Sequence, residues 1–585
     1  MTICIRDVGN VLQALSLDNP SLDALNPDDQ SYRALLLQPS GPILADETRI
    51  GPLDLNIADI QATKFLSLAA AKGHHLVVTP EYYLPVTTLL KCAKGATFPA
   101  VGALWALGCE SMTPSQVNTF KEECFGYCDV IFEEDMNAPI QGTYYDPVAY
   151  CFVTQDSQGM ARRVILFQFK TISSKDLHFF ENKNLRCGSV IYQFKGKDDE
   201  LSLATIICSD AFNIAPNEPI RKKLCRNATL LHIQLNPKPK HLLYMRYRID
   251  TFSKNKDANN CDIVCLNWAE NMVQFDEVGK KGDEWNNESA SAWYISEHRC
   301  SSSDQEVENN EQRGLYFSRH VNQRHVLHFH FGAAAFELTV AKILNLGYRV
   351  HDNNLGPKLD VRYTWQDALQ DWIRNDENPD PGLSNLFALS KNVGGAFSSL
   401  KTVPSRLWVE RAIALSCGLS KCNDTWFRAA ELEACRLGED EVVRRVTLEL
   451  DRDVAARDTR ESRVKNVAIL NQILASKNLP RQIHDLQGGG VRIMWRPHLP
   501  HVNVFKDGVK PALVAYLGME PSPDTINNVS DAAFELLRRE DNADHKHRMA
   551  VCYHDMDGQA KFARIWKLTD ITHGGGSATS IAEGN

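Results

Sequence analysis

What this chain of 585 residues lacks narrows its class before any motif is read. No stretch approaches the roughly 18 uncharged apolar residues of a membrane-crossing helix, so no membrane is expected as a partner. Residues 1–20, MTICIRDVGNVLQALSLDNP, hold no basic segment followed by an apolar one, so no secretory leader is expected. No polybasic arm is present: 64 Lys and Arg against 73 Asp and Glu leave a net charge of −9, and nucleic acid is not indicated as a partner. The 16 cysteines are scattered without paired Cys-x-x-Cys spacing, which argues against zinc and reads as reduced thiols in a cytoplasmic setting. Cys124 and Cys128, like Cys261 and Cys265, have no second pair. Gly488–Gly490 lacks the Lys-Ser/Thr of a phosphate loop, and no internal repeat is found.

What is present is ordinary globular composition, 43% hydrophobic and 23% charged. At about 150 residues per domain the length suggests three to four domains. Apolar runs predict strands over Ser31–Gln38, His74–Thr79 and Phe98–Trp105. Asn56–Lys72 predicts a helix with Ile57, Ile60, Phe65, Leu68 and Ala69 on one stripe and Gly73 just beyond its end. Glu110–Pro139 reads as a polar insertion. Val148–Thr154 and Arg163–Lys170 flank a turn at Asp156–Gly159, a hairpin signal. Further strands are expected at 201–207, 230–235, 263–267, 291–296 and 326–331, and Ser301–Gln312 reads as an exposed loop. Strands alternating with helices over some 340 residues predict one α/β unit.

Three segments place a reactive side chain at the end of an apolar strand: Val77–Glu81, Leu166–Lys170 and Ala204–Asp210. In α/β sheets, sites collect beyond the carboxyl ends of strands, so Glu81, Lys170 and Cys208 can meet on one edge. A thiol attacks as its thiolate, which a nearby cation favours. A carboxylate can take the thiol proton and return it to a leaving amine, and a lysine can stabilise an oxyanion. The trio suits attack on a carbonyl or nitrile carbon through a covalent thioester-type intermediate. Other readings of the same residues are a buried strand thiol at Cys208, a loop acid at Glu81 and a strand-end lysine at Lys170.

These motifs resemble those of the nitrilase, or carbon–nitrogen hydrolase, superfamily over roughly Ser31 to Ile343. The resemblance matches Glu81 after Pro80, Lys170 at a hairpin end and Cys208 followed by Asp210 to the family's triad. Glu181, ahead of Gly188, matches its second glutamate; its other reading is a solvated loop acid beside Lys183. Residues 208–212 and 171–180 depart from the family pattern, which leaves the substrate open. The resemblance implies a four-layer α-β-β-α sandwich, a small-molecule amide or nitrile as substrate and at least a homodimer; no cofactor or metal is expected.

The expected domains are 1–345, the hydrolase-like α/β unit; 346–382, a linker region with Asn375–Gly382 at its core; 383–482, a helical domain; 483–574, a small α+β domain; and 575–585, a flexible tail. Helices are expected at 405–416, 426–437, 439–457, 463–476 and 530–540, and strands at 491–495, 513–517, 549–554 and 562–566. Residues 383–574 carry no reactive constellation and are expected to bind a protein partner or regulate the first domain. Two alternative functions stay open: a scaffold or antiviral-defence effector on the same fold, and acyl or amide transfer by the same triad. His325, His328 and His330 cluster on one strand without an acidic or Cys partner, and read as strand-surface histidines rather than metal ligands.

Overall fold

The computed structural model describes residues 3–27, 31–133, 143–174, 181–197, 200–237, 244, 247, 251, 261–269, 272–276, 279, 281–285, 291–296, 304–320, 324–342, 356–389, 405–417, 446–448, 454–476, 478–538 and 547–565. The chain divides into two compact units: Met1–Ser301, Asn309–Phe317 and Val321–Pro379 form the first, and Ser302–Glu308, Ser318–His320 and Asp380–Asn585 the second.

The first unit holds two large mixed sheets. One is nine-stranded, in the order Asp371–Arg374, Pro357–Gln366, Ala334–Ala341, Ser31–Gln38, Leu76–Leu84, Leu104–Cys109, Pro147–Gln155, Ala161–Phe169, Asp129–Ile131. Its centre, Ser31–Gln38, Leu76–Leu84 and Leu104–Cys109, is parallel. The last two of these are buried at every position, the continuous apolar run of a strand covered on both faces. The other sheet is eight-stranded, in the order Cys4–Asp7, Val190–Lys195, Ser202–Ile207, Ala228–Ile233, Cys261–Leu266, Ala292–Ser296, Arg324–Phe329, Leu315–His320. The sheets face each other. Tyr150 and Phe152 meet Phe194 edge-on, with ring centroids 5.0 and 5.5 Å apart, and Gln168 bonds across to Thr205 O and Tyr192 N, each at 2.9 Å.

Helix Leu55–Lys72 shares a core with the first sheet, and helices Asp210–Ile214 and Glu218–Cys225 share one with the second. The first of these begins where Asp54 accepts from Asn56 N and Ile57 N, and Gly73 closes it at φ 62°. Its buried stripe differs from expectation. Ala58, Ala62, Phe65, Leu66 and Ala69 face inward, while Ile57 and Ile60 are 52% and 39% exposed, because small alanines allow the helix to lie close to the sheet.

Several boundaries move. The insertion expected at Glu110–Pro139 belongs to the sheet as far as it is described: helix Pro114–Glu123 is fixed by a Thr113/Gln116 capping box, and Asp129–Ile131 pairs in parallel with Ala161–Phe169. The loop expected at Ser301–Gln312 is a helix from Asp304 onward: Asp304–Arg313 is anchored by buried Val307 and Glu311, one turn apart and too few to mark a period. Part of the expected linker region 346–382 is sheet: Pro357–Gln366 and Asp371–Arg374 extend the first unit, with Trp365 opposite Trp372. The segment after them is tied down, by Asn375 N on Arg362 O at 2.8 Å and Arg362 on Glu377 O at 2.7 Å, and Asp380 is buried.

The second unit has a five-stranded sheet in the order Arg492–Ile493, Val504–Lys506, Val509–Met519, Met549–His554, Ala560–Phe562. Helix Pro523–Arg538 connects its parallel pair. The expected helical and α+β domains share one core, in which Val409, Ile413, Val464 and Leu470 of helices Arg406–Cys417 and Val454–Ala475 pack with Leu513, Ala515 and Phe534. Asn503 joins helix to sheet, donating to Ser416 Oγ at 2.8 Å and Val514 O at 2.9 Å. The helix expected at 426–437, most of 439–457 and the tail 575–585 lie outside the described residues. Among those described, no helix is long and apolar enough to cross a membrane.

Candidate active site

Glu81 stands in a disturbed stretch of Leu76–Leu84, not beyond the strand as expected. The ladder to Leu104–Cys109 runs regularly to Thr79↔Leu107, breaks, and resumes at Leu84↔Cys109. Within the break Tyr82 has φ 60°, a left-handed conformation that costs a non-glycine residue energy and reshapes the strand locally. Gly108 makes room, since a Cβ there would lie 2.1 Å from Pro80 O. Trp268 Nε1 donates to Glu81 O at 2.8 Å, and Leu235 N donates to Glu81 Oε2.

Lys170 follows strand Ala161–Phe169 and is bonded through its backbone N to Asp146 O at 2.9 Å. Its ammonium donates to Glu81 Oε1 at 2.7 Å and to Glu181 Oε1 at 2.6 Å, and lies 3.5 Å from Asp146 Oδ2. Glu181 opens the short helix Glu181–Asn184; it also accepts from Tyr82 OH at 2.9 Å and Ser174 N at 2.7 Å. It is buried, not a solvated loop acid.

Cys208 follows the fully buried strand Ser202–Ile207 and has φ 40°, so a turn, not a strand, presents the thiol. Its backbone N donates to Ile233 O at 2.9 Å, and its Sγ is 3.0 Å from Tyr244 OH. The flanking residues lock the turn onto the lysine strand. Ser209 Oγ donates to Ile172 O at 2.8 Å, and Asp210 accepts from Thr171 N and Oγ1, both at 2.7 Å. The structure therefore gathers Glu81, Lys170 and Glu181 into one bonded network and sets Cys208 within reach of the charges of all three.

The electrostatics follow from burial. Desolvation and then the Glu81 carboxylate push the Cys208 thiol well above its ordinary range, against the pull of Lys170 and Tyr244. Burial likewise raises Glu81, opposed first by Lys170. Glu181 is held below the usual carboxylate range despite burial, because the Lys170 charge and bond outweigh it. Burial works against the Lys170 charge, but the Glu181 and Glu81 charges outweigh it and raise the ammonium well above its ordinary range. Burial raises Asp210 to about 6.

Among the described residues, Glu81, Asp146 and Glu181 are the one group of three whose ligand atoms lie within 4.8 Å of one another, as a cation would require. The Lys170 ammonium already bonds two of them. Of the other clusters, His328 is buried rather than on the strand surface, since both faces of Arg324–Phe329 are covered: Leu327 and Phe329 are buried on one, Val326 and His328 on the other; the side chain of His325 lies outside the described residues. The sequence reading missed Asp146, Tyr82 and Tyr244. The hairpin register carried the signal for Asp146, because continuing the Pro147↔Phe169 pairing by one step sets it opposite Lys170.

No protein-family model matches the chain, and no curated protein matches it. Among solved structures, the chain is similar to a glutamine-dependent NAD+ synthetase from Acinetobacter baumannii, at 11% identity and TM-score 0.30, over 55% of this chain and 49% of the synthetase, about half its length. It is also similar to an amidase of the nitrilase superfamily from Nesterenkonia, at 12% identity and TM-score 0.24, over 46% of this chain and 92% of the amidase. Saccharomyces cerevisiae Nit3, a member of branch 10 of that superfamily, aligns at 14% identity and TM-score 0.24, over 46% of this chain and 89% of its own. Likenesses at these scores carry no weight for the chemistry, which rests on the site itself.

Proposed function

We propose that the first unit is a thiol-dependent hydrolase of a non-peptide C–N bond in an amide or nitrile, built on a four-layer α-β-β-α sandwich with Glu81, Lys170 and Cys208 as its triad. The observation that supports this most is the Lys170 ammonium, buried between Glu81 and Glu181 and pulling on the charge of a thiol held on a left-handed turn. A purely structural thiol has no use for a neighbouring base and cation.

With an amide, Glu81 takes the Cys208 proton as sulfur bonds to the carbonyl carbon, and the carbonyl π pair moves to oxygen. Lys170 stabilises that oxyanion. The oxyanion collapses, the C–N bond breaks, and protonated Glu81 gives its proton to the leaving amine. Water then gives a proton to Glu81 while its oxygen attacks the thioester carbon. Collapse of this second intermediate expels the sulfur, which regains the proton, and releases the acid. Glu181 accepts three donors and holds Lys170 in place throughout. The resting Cys208 is a thiol, so proton transfer to Glu81 accompanies attack.

Incubation with a panel of amides and nitriles, followed by intact-protein mass spectrometry, tests this. An acyl adduct on Cys208 and its disappearance in Cys208→Ala are expected; turnover by a folded Cys208→Ala protein would refute the mechanism. The homodimer and the partner-binding second unit belong to the same reading, and light scattering at micromolar concentration checks the first.

A further inference from the structure

Three carboxyl groups, those of Glu81, Asp146 and Glu181, surround the single ammonium of Lys170, and none is more than 3% exposed. Were all three ionised, the cluster would carry two uncompensated negative charges away from water. Burial penalises that heavily, and a group in such a place takes up a proton instead.

The hydrogen bonds identify which group does so. Glu181 accepts from Lys170 Nζ, Tyr82 OH and Ser174 N. Glu81 accepts from Lys170 Nζ and Leu235 N. Asp146 is fully buried, yet among the described residues no N–H or O–H donates to either of its carboxyl oxygens, and Lys170 stands off at 3.5 Å. Two carboxyl groups this close, one without donors, are matched when the donor-poor one is the acid and the other accepts its proton.

We propose that Asp146 is a positioning residue of this site: a neutral carboxylic acid that donates its proton to the Glu81 carboxylate, holding it in place and limiting its basicity. This rests on the reading of Glu81 as the base. Burial, and next the Glu81 charge, push the Asp146 carboxyl well above the ordinary carboxylate range, while a bond from Asp146 draws Glu81 down. The titratable groups facing Asp146 are Glu81 and Tyr82 on Leu76–Leu84, Lys170, Glu181, Tyr144 beside it, and Cys109 on Leu104–Cys109. Lys170 alone among them is a cation, and Glu81 and Glu181 already bond it.

Two variants separate positioning from mere packing. Asp146→Asn retains a donor toward Glu81 without a titratable proton; Asp146→Ala removes the donor. The pH profile of Cys208 alkylation by iodoacetamide, read by mass spectrometry on the full chain, needs no substrate. Its acid limb reports the coupled Glu81–Cys208 pair. In Asp146→Ala it moves up by about one pH unit, the worth of one hydrogen bond to a charged group. In Asp146→Asn it stays near the wild-type position. An unmoved limb in folded Asp146→Ala, or an equal shift in Asp146→Asn, overturns the proposal. A direct check is the infrared carboxyl band at neutral pH: the wild type shows a neutral-acid band that Asp146→Asn lacks, and identical spectra refute the assignment. Both readouts are independent of turnover, so a chain that hydrolyses no amide or nitrile but shows these changes loses the proposed reaction and keeps this inference.

Discussion

In the second unit, Arg406 and Arg411 are buried together with Asp380 and Glu410, two cations for two anions. Arg406 bonds Asp380 Oδ1 at 3.1 Å, Asp380 O at 2.6 Å and Thr447 O at 2.8 Å. Glu410 accepts from Thr447 N and Oγ1 at 2.8 and 2.6 Å, and Arg411 lies 4.4 Å over the Trp495 ring. In the first unit, three buried carboxyls share one lysine beside a thiol. Balanced charge needs no further purpose than tying loops to a core. Unbalanced buried charge beside a thiol is the pattern of a site that moves protons, as proposed for Cys208. The ratio of charges, more than the mere fact of burial, separates the balanced cluster from the one proposed to be reactive.

The sharpest way to break this comparison is to remove the cation from each cluster. Lys170→Met and Arg406→Met should each destabilise the chain by about 3–5 kcal/mol, since each strands buried acceptors. Only Lys170→Met should also cut turnover, by at least about 10²-fold, the scale of a lost oxyanion donor. Urea melts paired with rate measurements on the assay substrate check this, and an equal loss of rate per folded molecule in Arg406→Met would erase the distinction.

Next in size is a pH effect from Asp210. Its native pKa, about 6, is above the unfolded value of 3.8, so the native state binds the proton more tightly than the unfolded chain. The stability this confers is complete below about pH 4 and is lost as pH rises through 6. Asp210→Asn keeps an acceptor for Thr171 and removes the titration. Its melting temperature relative to the wild type should therefore rise between pH 4 and pH 7.5, and a constant difference would contradict the assignment.

The smallest expected change is at Tyr244. Its hydroxyl, 3.0 Å from Cys208 Sγ, helps hold the thiol's pKa down. Tyr244→Phe should slow iodoacetamide alkylation of Cys208 severalfold at mildly alkaline pH without altering the melt; faster alkylation would mean that the ring shields the sulfur instead.

Strand positions carried the legible part of the site. Lys170 and Cys208 end apolar runs whose edges the sequence marks well, and the Asp156–Gly159 turn announces the hairpin through the Asp156 carboxylate bonding Gln158 N and Met160 N. Glu81 was found for the same reason, although its strand runs on to Leu84 because the segment after it is as apolar as the segment before. What escaped depends on long-range placement. Tyr244 reaches Cys208 across 36 positions, and no local pattern announces that contact. In the second half, helical periodicity at 405–416 and 463–476 was real, but the sequence does not say that these helices cover the Val509–Met519 strand rather than each other alone. The Pro357–Gln366 strand was hidden by the polar residues around it, which mark it as a sheet edge region.

Between Thr79 and Leu84 the glutamate strand takes five residue steps while its neighbour takes two, from Leu107 to Cys109. The excess of three is odd, and strand side chains alternate with a period of two. Shortening or lengthening this stretch by a single residue would reverse which of the two covered faces everything beyond it presents, giving Leu84 the wrong packing partners. A change of two would preserve the alternation but alter the length of the arch that carries Glu81. The segment thus behaves as a ratchet for chain length. Loops in general can gain or lose residues one at a time, whereas here the routes to a reshaped site are substitution or a change of two.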